Sequence, residues 1–395
     1  MGARAIRVGV VGLGRGFTLM LPTFVAERRI KLVAAADPIA AAREQFERDF
    51  AAPSFADADA VCERTDVDVV YIASPHQLHA EHARLAFAHG KHVIVEKPMA
   101  LSLAECTAMI DASRQAGRHL IVGHSHSFDR PIARCRELVE SCVFGAVRMI
   151  TALNFTDFLY RPRRPEELHT ASGGGVVFSQ GAHQLDIVRM LGGGEVESVR
   201  AITGAWDPSR PTEGAYSALL RFRSGAFAHA TYSGYGHYDS DELMDGIGEL
   251  GEPKAADAYG AARRRLAQAT LDESASKAAR NYGGLQYRPP SMIQPTAWQH
   301  FGFLVVCCDR ADLRPTATGV AIYADDLRSF DALPRPSYPR EEVLQELISA
   351  LDDDVPPLHD GEWARASLEA CLAILESATQ NRDVQLVFQC KVPRI

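Results

Sequence analysis

Between Ile6 and Val122, short β-branched apolar runs alternate with amphipathic stretches of helical length. That rhythm points to a parallel sheet whose strands are joined by crossover helices. The spacing predicts strands over 6–12, 31–36, 67–73, 92–95 and 119–122, and helices over 16–27, 39–49, 77–89 and 103–115. Gly90 and Gly117 stand where helices end on a residue that tolerates positive φ. Right-handed connections then give an α/β domain, a doubly wound parallel sheet of the Rossmann type.

Beyond residue 127 the pattern changes. Segments 147–155, 196–203, 216–222 and 226–232 alternate apolar and polar residues, and helices are predicted over 131–141 and 180–191. This is an α+β domain on a large open, mostly antiparallel sheet. The expected division is 1–126 and 127–395, with a polar insertion over 236–294; 395 residues at 47% apolar content suffice for two cores. An open sheet with one uncovered face predicts a homo-oligomer, a dimer or tetramer. The insertion carries Arg263-Arg264-Arg265, expected as a solvated helix face.

A net charge of −8 disfavours nucleic acid and anionic membranes as partners and leaves a small molecule as the expected ligand. No apolar stretch approaches the roughly 20 residues that span a bilayer. The first residues run into a strand without the basic and apolar regions of a secretion signal, so a cytoplasmic setting is expected. Eight cysteines without a C-x-x-C pair predict reduced, mostly buried thiols, with no disulfide framework and no zinc site.

Gly12-Leu13-Gly14-Arg15-Gly16-Phe17 follows the first strand and opens the first helix. Glycines there let a pyrophosphate approach the backbone amides at the positive end of the helix. The third glycine is displaced, because Phe17 stands where the dinucleotide fingerprint wants Gly or Ala. Asp37 closes the second strand at the spacing of a carboxylate that accepts the adenosine ribose hydroxyls, which favours NAD and leaves NADP open. Arg43 complicates that preference. An Asp before Pro38 can equally cap the next helix.

Three further segments carry chemistry: Ala73-Ser74-Pro75-His76-Gln77-Leu78-His79, then Gly90-Lys91-His92-Val93-Ile94-Val95-Glu96-Lys97-Pro98, then Gly173-Gly174-Gly175 with Gly181, His183 and Asp186. With the glycine loop and the terminal Ser377-Ala378…Arg382-Asp383-Val384, they resemble the glucose-fructose oxidoreductase/inositol dehydrogenase/rhizopine catabolism (Gfo/Idh/MocA) family. The resemblance implies an NAD(P)-dependent oxidoreductase. Its cofactor contacts are expected from Gly12, Gly14, Arg15, Gly16, Phe17, Asp37, Ser74, Pro75, His79, Glu96 and Lys97.

Lys97 follows a strand at the carboxyl edge of the sheet, where ligands of open α/β folds bind. Partly desolvated, it can lose its proton near neutral pH and take one from a substrate hydroxyl. Pairing with Glu96 on the surface is the bland alternative. The resemblance makes Lys97 catalytic and gives His183 a role in substrate binding or proton transfer, with Asp186 on the same helix face able to orient it. Ser179 replaces the Asp usual four residues before that histidine; it cannot act as a base near pH 7 and can instead cap the helix. His76, His79 and His82 recur every three residues, but such a repeat offers a metal one direction of approach, and no metal is expected. His124 and His126 lie at the crossing into the second domain, and His126 is a candidate substrate ligand.

Arg161, Arg163 and Arg164 precede the glycine triplet and suit carboxylates, which guanidinium groups bind in a bidentate manner. A Pro-stiffened surface loop is the alternative. With Asn154-Phe155-Thr156-Asp157-Phe158-Leu159 and the insertion, this segment resembles the branch that oxidises phthalate cis-4,5-dihydrodiol to 4,5-dihydroxyphthalate. There Lys97 would accept the hydroxyl proton, through His183, as hydride leaves the same carbon. A sugar or inositol dehydrogenase, and a non-catalytic NAD-binding sensor or scaffold, are the competing expectations.

Overall fold

A computed structural model describes residues 4–255, 258, 260–270, 272–289, 294–353 and 355–393. The chain divides into two units, and both are discontinuous.

The first unit is built on β1 (Ile6–Val11), β2 (Ile30–Ala36), β3 (Ser54–Phe55), β4 (Val69–Ile72), β5 (His92–Val95) and β6 (Leu120–Val122). Among the described residues these form a parallel sheet in the order β3-β2-β1-β4-β5-β6. Val8, Val10, Val69, Val70, Ile72, Val93, Ile94 and Val95 are fully enclosed, as a sheet covered on both faces requires. Each contributes about 1.5–3 kcal/mol on burial. The helices are α1 (Arg15–Ala26), α2 (Ala40–Phe50), α3 (Ala58–Cys62), α4 (His79–Ala88) and α5 (Leu103–Ala116). Ser102 and Glu105 form a capping box at the start of α5, and Gly117 ends it at φ +61°.

The contiguous division at 126/127 is corrected. The break falls between His124 and Ser125, and the first unit recovers residues 272–289 of the insertion and 338–365. The cause is tertiary packing: Tyr282 packs edge-on against Phe17 at 5.1 Å and donates to Asp49 at 2.5 Å. Tyr338 donates to Glu27 at 2.8 Å, and Val122 N–H donates to His359 O at 2.8 Å.

The second unit carries α6 (Arg130–Glu140), β7 (Val147–Phe155), α7 (Ala182–Gly192), β8 (Val196–Gly204), β9 (Ala215–Phe222) and β10 (Phe227–Ser233). After the insertion, which includes α8 (Ala261–Ala267) here and α9 (Glu273–Arg280) in the first unit, come β11 (Phe303–Cys308), β12 (Ala311–Thr316), β13 (Gly319–Ala324), β14 (Arg328–Ala332) and β15 (Val384–Gln385). Helix α10 (Glu341–Asp352) lies in the first unit, and α11 (Gly361–Gln380) joins the second from Ala366 onward. The described strands form one sheet, β14-β13-β12-β11-β7-β10-β9-β8-β15, antiparallel except that β7 and β10 pair in parallel. Alternation along β7, β9 and β10 buries Ile150, Ala152, Leu220, Ala228 and Ala230 against Ile132, Leu185, Val188 and Ile374 of the helices. The opposite face leaves Ile202, Leu219, Phe227 and Phe330 half or more exposed.

Two local expectations change. Helix α7 is preceded by a π-helical turn over Val177–Gly181, so the chain is already helical at Ser179, which therefore caps nothing. Arg263 is not part of a solvated face: it stacks over Tyr160 at 3.8 Å and donates to Tyr235 O and Gly236 O. All eight cysteines are free thiols; four are buried, while Cys307 and Cys308 are only half-buried.

Candidate active site

The glycine loop is fastened to the sheet before any side chain contributes. Gly12 has φ +94°, and a Cβ there would stand 2.6 Å from the Ala73 and Ser74 backbone. A Cβ on Gly14 would meet nothing within 4 Å, so space is open in front of α1, whose N-cap carries no side-chain hydrogen bond. Those first amides and the helix dipole are available to a phosphate. Gly16 permits close approach to the carboxyl edge of β5, since its Cβ would lie 3.1 Å from Glu96 Cγ. This cradle fits a dinucleotide.

Asp37 holds two backbone segments together through its carboxylate. Its Oδ2 accepts the N–H of Leu13 at 2.7 Å and its Oδ1 accepts the N–H of Ile39 at 2.8 Å, so one carboxylate ties the glycine loop to the start of α2. Arg43 donates to the carbonyls of Asp37 and Pro38 at 2.8 and 3.0 Å. Arg15 is exposed in the first turn of α1. The Phe17 ring is fully enclosed against Phe46 and Tyr282, which leaves only its backbone N–H, in the first turn of α1, to face a cofactor.

At the edge of β5, Glu96 accepts the hydroxyl of Tyr71 at 2.6 Å. Burial pushes the Glu96 carboxyl above its ordinary value, against the opposing pull of Arg340, Tyr71 and Lys97. Lys97 is half-buried beside it. His79 is fully enclosed, with Nδ1 2.9 Å from Pro98 O and Nε2 2.9 Å from Ser74 O. Burial lowers its pKa to about 4 despite those two carbonyls. His79 therefore braces the turns that carry Ser74 and Lys97, a correction to its expected cofactor contact. His82 adds a 3.0 Å bond to Ser74 Oγ, and Pro75 stays exposed.

The second unit holds its own polar cluster. His126 Nδ1 lies 2.6 Å from Asp129 and Nε2 lies 3.6 Å from Glu249. The His183 ring stands edge-on to His126 at 4.8 Å, and both rings pack against Phe301 at 5.1–5.2 Å. His126 is buried, which favours its neutral form, but Asp129 and Glu249 outweigh this and raise its pKa. Asp186 accepts from Ser367 at 2.7 Å and from Ser127, while the enclosed Arg189 donates to Ser367 at 2.7 Å and Gln389 at 2.9 Å. That network fixes α7, which presents His183.

The three arginines separate. Arg161 keeps 44% of its side-chain surface open to a ligand. It lies 3.4 Å from Asp157, and Glu249 acts on it electrostatically. Arg163 stacks on Phe158 at 3.5 Å, and burial lowers its pKa to about 10. Arg164 is paired with Glu166 at 3.1 Å and Glu167 at 3.7 Å. Sequence reasoning passed over Asp129, Glu249 and Phe301. Asp129 three residues after His126 was the one available local signal; the other two are distant in the chain.

The paired domains and the glycine cradle define an NAD(P)-dependent oxidoreductase, and the chain belongs to the Gfo/Idh/MocA family. Residues 6–124 match the model of the oxidoreductase family's NAD-binding Rossmann fold, and 132–269 match that of the Gfo/Idh/MocA C-terminal domain. The chain is 48% identical over 376 residues, 94% of each protein, to 1-carboxy-3-chloro-3,4-dihydroxycyclohexa-1,5-diene dehydrogenase of Comamonas testosteroni. A crystal structure of a proposed dehydrogenase from Bordetella bronchiseptica RB50 is similar at TM-score 0.91 and 40% identity, covering 97% of this chain and 100% of that one. The WlbA dehydrogenase of Bordetella pertussis, solved with NADH and UDP-GlcNAcA, shares the fold at TM-score 0.69 and 21% identity, over 97% and 99% of the two chains.

Proposed function

We propose that the protein oxidises a carboxylated cis-dihydrodiol of a cyclohexadiene ring, with NAD as the preferred acceptor. The observation that carries this reading is the pair Arg161 and Arg163, gathered around Phe158 in the unit that holds the histidine cluster. It is supported by the Comamonas relative, whose name contains a ring carboxylate and a vicinal diol. Phthalate cis-4,5-dihydrodiol, with a second carboxylate, is the specific substrate we favour.

Bound NAD supplies the hydride acceptor, and rearomatisation of the ring favours oxidation. Lys97 takes the hydroxyl proton; a lysine shielded from water at a sheet edge can do so near neutral pH. His183 hydrogen-bonds the reacting hydroxyl. Arg161 and Arg163 hold the carboxylates and orient the ring, a task Arg164 does not share. Gly12, Gly14, Gly16 and Asp37 seat the dinucleotide. Ser179, without an acid's proton chemistry, is assigned to substrate binding only.

Among the described residues no helix is long and apolar enough to cross a membrane. We place the enzyme in the cytoplasm, as its free thiols favour, and as a homo-oligomer joined through the apolar sheet face.

The deciding experiment follows absorbance at 340 nm with phthalate cis-4,5-dihydrodiol, a chlorinated monocarboxylate diol, an uncarboxylated cis-dihydrodiol and myo-inositol. Turnover of carboxylated diols alone is expected. Preferential oxidation of inositol, or no oxidation of any diol, would overturn the reading.

A further inference from the structure

The insertion after β10 reaches the histidine cluster through a closed turn. Gly248 N–H donates to Glu252 O at 2.8 Å, Gly251 N–H to Gly248 O at 2.8 Å, and Lys254 N–H to Gly246 O at 2.7 Å. Lys254 Nζ pairs with Asp241 at 2.8 Å and with Asp239. Gly251 has φ +83°, and a Cβ there would stand 2.4 Å from Ala297 O, so the turn seats against the chain leading to β11 only with glycine at that place. His300 clamps it: Nε2 donates to Ile247 O at 2.8 Å, Nδ1 accepts from Gly302 N–H at 3.1 Å, and its backbone N–H donates to Glu249 O at 3.2 Å. Backbone bonds on three sides thus fix where the Glu249 side chain starts.

We propose that Glu249 is a positioning residue: together with Asp129 it holds His126 as an imidazolium, with its charge also bearing on Arg161, which makes this turn a working part of the substrate-binding apparatus. The inference rests on the dehydrogenase reading above. An imidazole with a carboxylate at each nitrogen satisfies both only when it carries two protons. His126 has Asp129 at 2.6 Å on one side and Glu249 at 3.6 Å on the other, the second in ion-pair rather than hydrogen-bond range. Other ionisable groups near it include His124, whose ring nitrogen lies within 4.8 Å, His183 of α7 and His300 ahead of β11, with Arg161 acting through Glu249. Burial favours the neutral acid of Glu249, yet His126 and Arg161 hold that carboxyl down to about 2. One carboxylate therefore serves two cations, His126 and Arg161.

The test uses the full-length protein labelled with [13C]histidine, the His126 resonance being assigned by its loss in His126→Gln. In Glu249→Gln, which keeps the shape and removes the charge, the His126 titration should move down by about one pH unit. KM for the carboxylated diol should rise on the order of tenfold with a smaller change in kcat. Glu249→Asp should retain the His126 titration. An unmoved His126 titration in Glu249→Gln, or an unchanged KM, would overturn the proposal. Should Glu249→Gln melt too early to assay, the wild type decides instead: a His126 resonance that titrates no higher than a free imidazole, about 6.5, rejects it. The resonance is read without substrate, so absence of turnover on every diol with a shifted titration would refute the substrate class and leave Glu249 in place.

Discussion

Tyr71 donates a hydrogen bond from its hydroxyl to Glu96 Oε1 at 2.6 Å. The carboxylate next to Lys97 is thus engaged by the sheet interior, which argues against the bland picture of a solvent-exposed Lys97–Glu96 pair. Burial raises the Glu96 pKa above 4.5 in the folded protein. Above 4.5 the folded state then holds more proton than the unfolded one, so stability falls as pH rises through the window up to the folded value. Relative to Glu96→Gln, the wild type should lose about 1.4 kcal/mol per pH unit within that window. Thermal melts of both proteins across pH 4–8 should diverge; parallel curves would remove the burial argument.

Lys97→Ala should bind NAD with near-normal affinity, because the cradle is made by the glycine loop and Asp37. Its turnover should fall on the order of 10²–10⁴-fold. Steady-state rates beside calorimetric NAD titration separate the two effects, and undiminished turnover would remove Lys97 from the proton transfer.

Asp37→Ala removes the acceptor of both Leu13 N–H and Ile39 N–H. A stability loss of about 1–3 kcal/mol is expected from the two amides it strands, along with weaker NAD binding and a narrowed preference over NADP. Titration of both cofactors into Asp37→Ala and Asp37→Asn checks this. Equal NAD affinity in all three proteins would leave Asp37 a purely structural tie.

Arg161→Ala should raise KM for carboxylated diols on the order of 10²-fold, the scale of a lost charge-assisted pair, and leave an uncarboxylated diol little affected. Arg164→Ala should match the wild type, since Arg164 is neutralised by Glu166 and Glu167. A reversed order would exchange their roles.

Leu219 and Phe227 stand about half exposed on neighbouring strands of the sheet's open face. If the proposed homo-oligomer is joined there, charge on that face, as in Leu219→Arg with Phe227→Asp, should give a monomer in sedimentation velocity while leaving the melting temperature of the monomer intact. A monomeric wild type would dispose of the interface.

The sequence by itself determined what depends on near neighbours. The βαβ rhythm marked a doubly wound parallel sheet, Gly90 and Gly117 marked helix ends that take positive φ, and the alternation along β7 to β10 pointed to a sheet with one open face. Lys97 and His183 were legible because they stand in short motifs. Tertiary structure decided what depends on residues far apart. Phe17 became core because Tyr282, more than 260 residues on, folds onto it. Arg164 is ion-paired because Glu166 and Glu167 turn back on it in a short 3-10 turn. Glu249 joined His126 across more than 120 residues, by way of a turn whose bonds to His300 leave no periodic trace in the chain. Hydrophobic period and turn chemistry report local backbone preference, whereas a carboxylate's partner is set by where the packed core brings distant segments together.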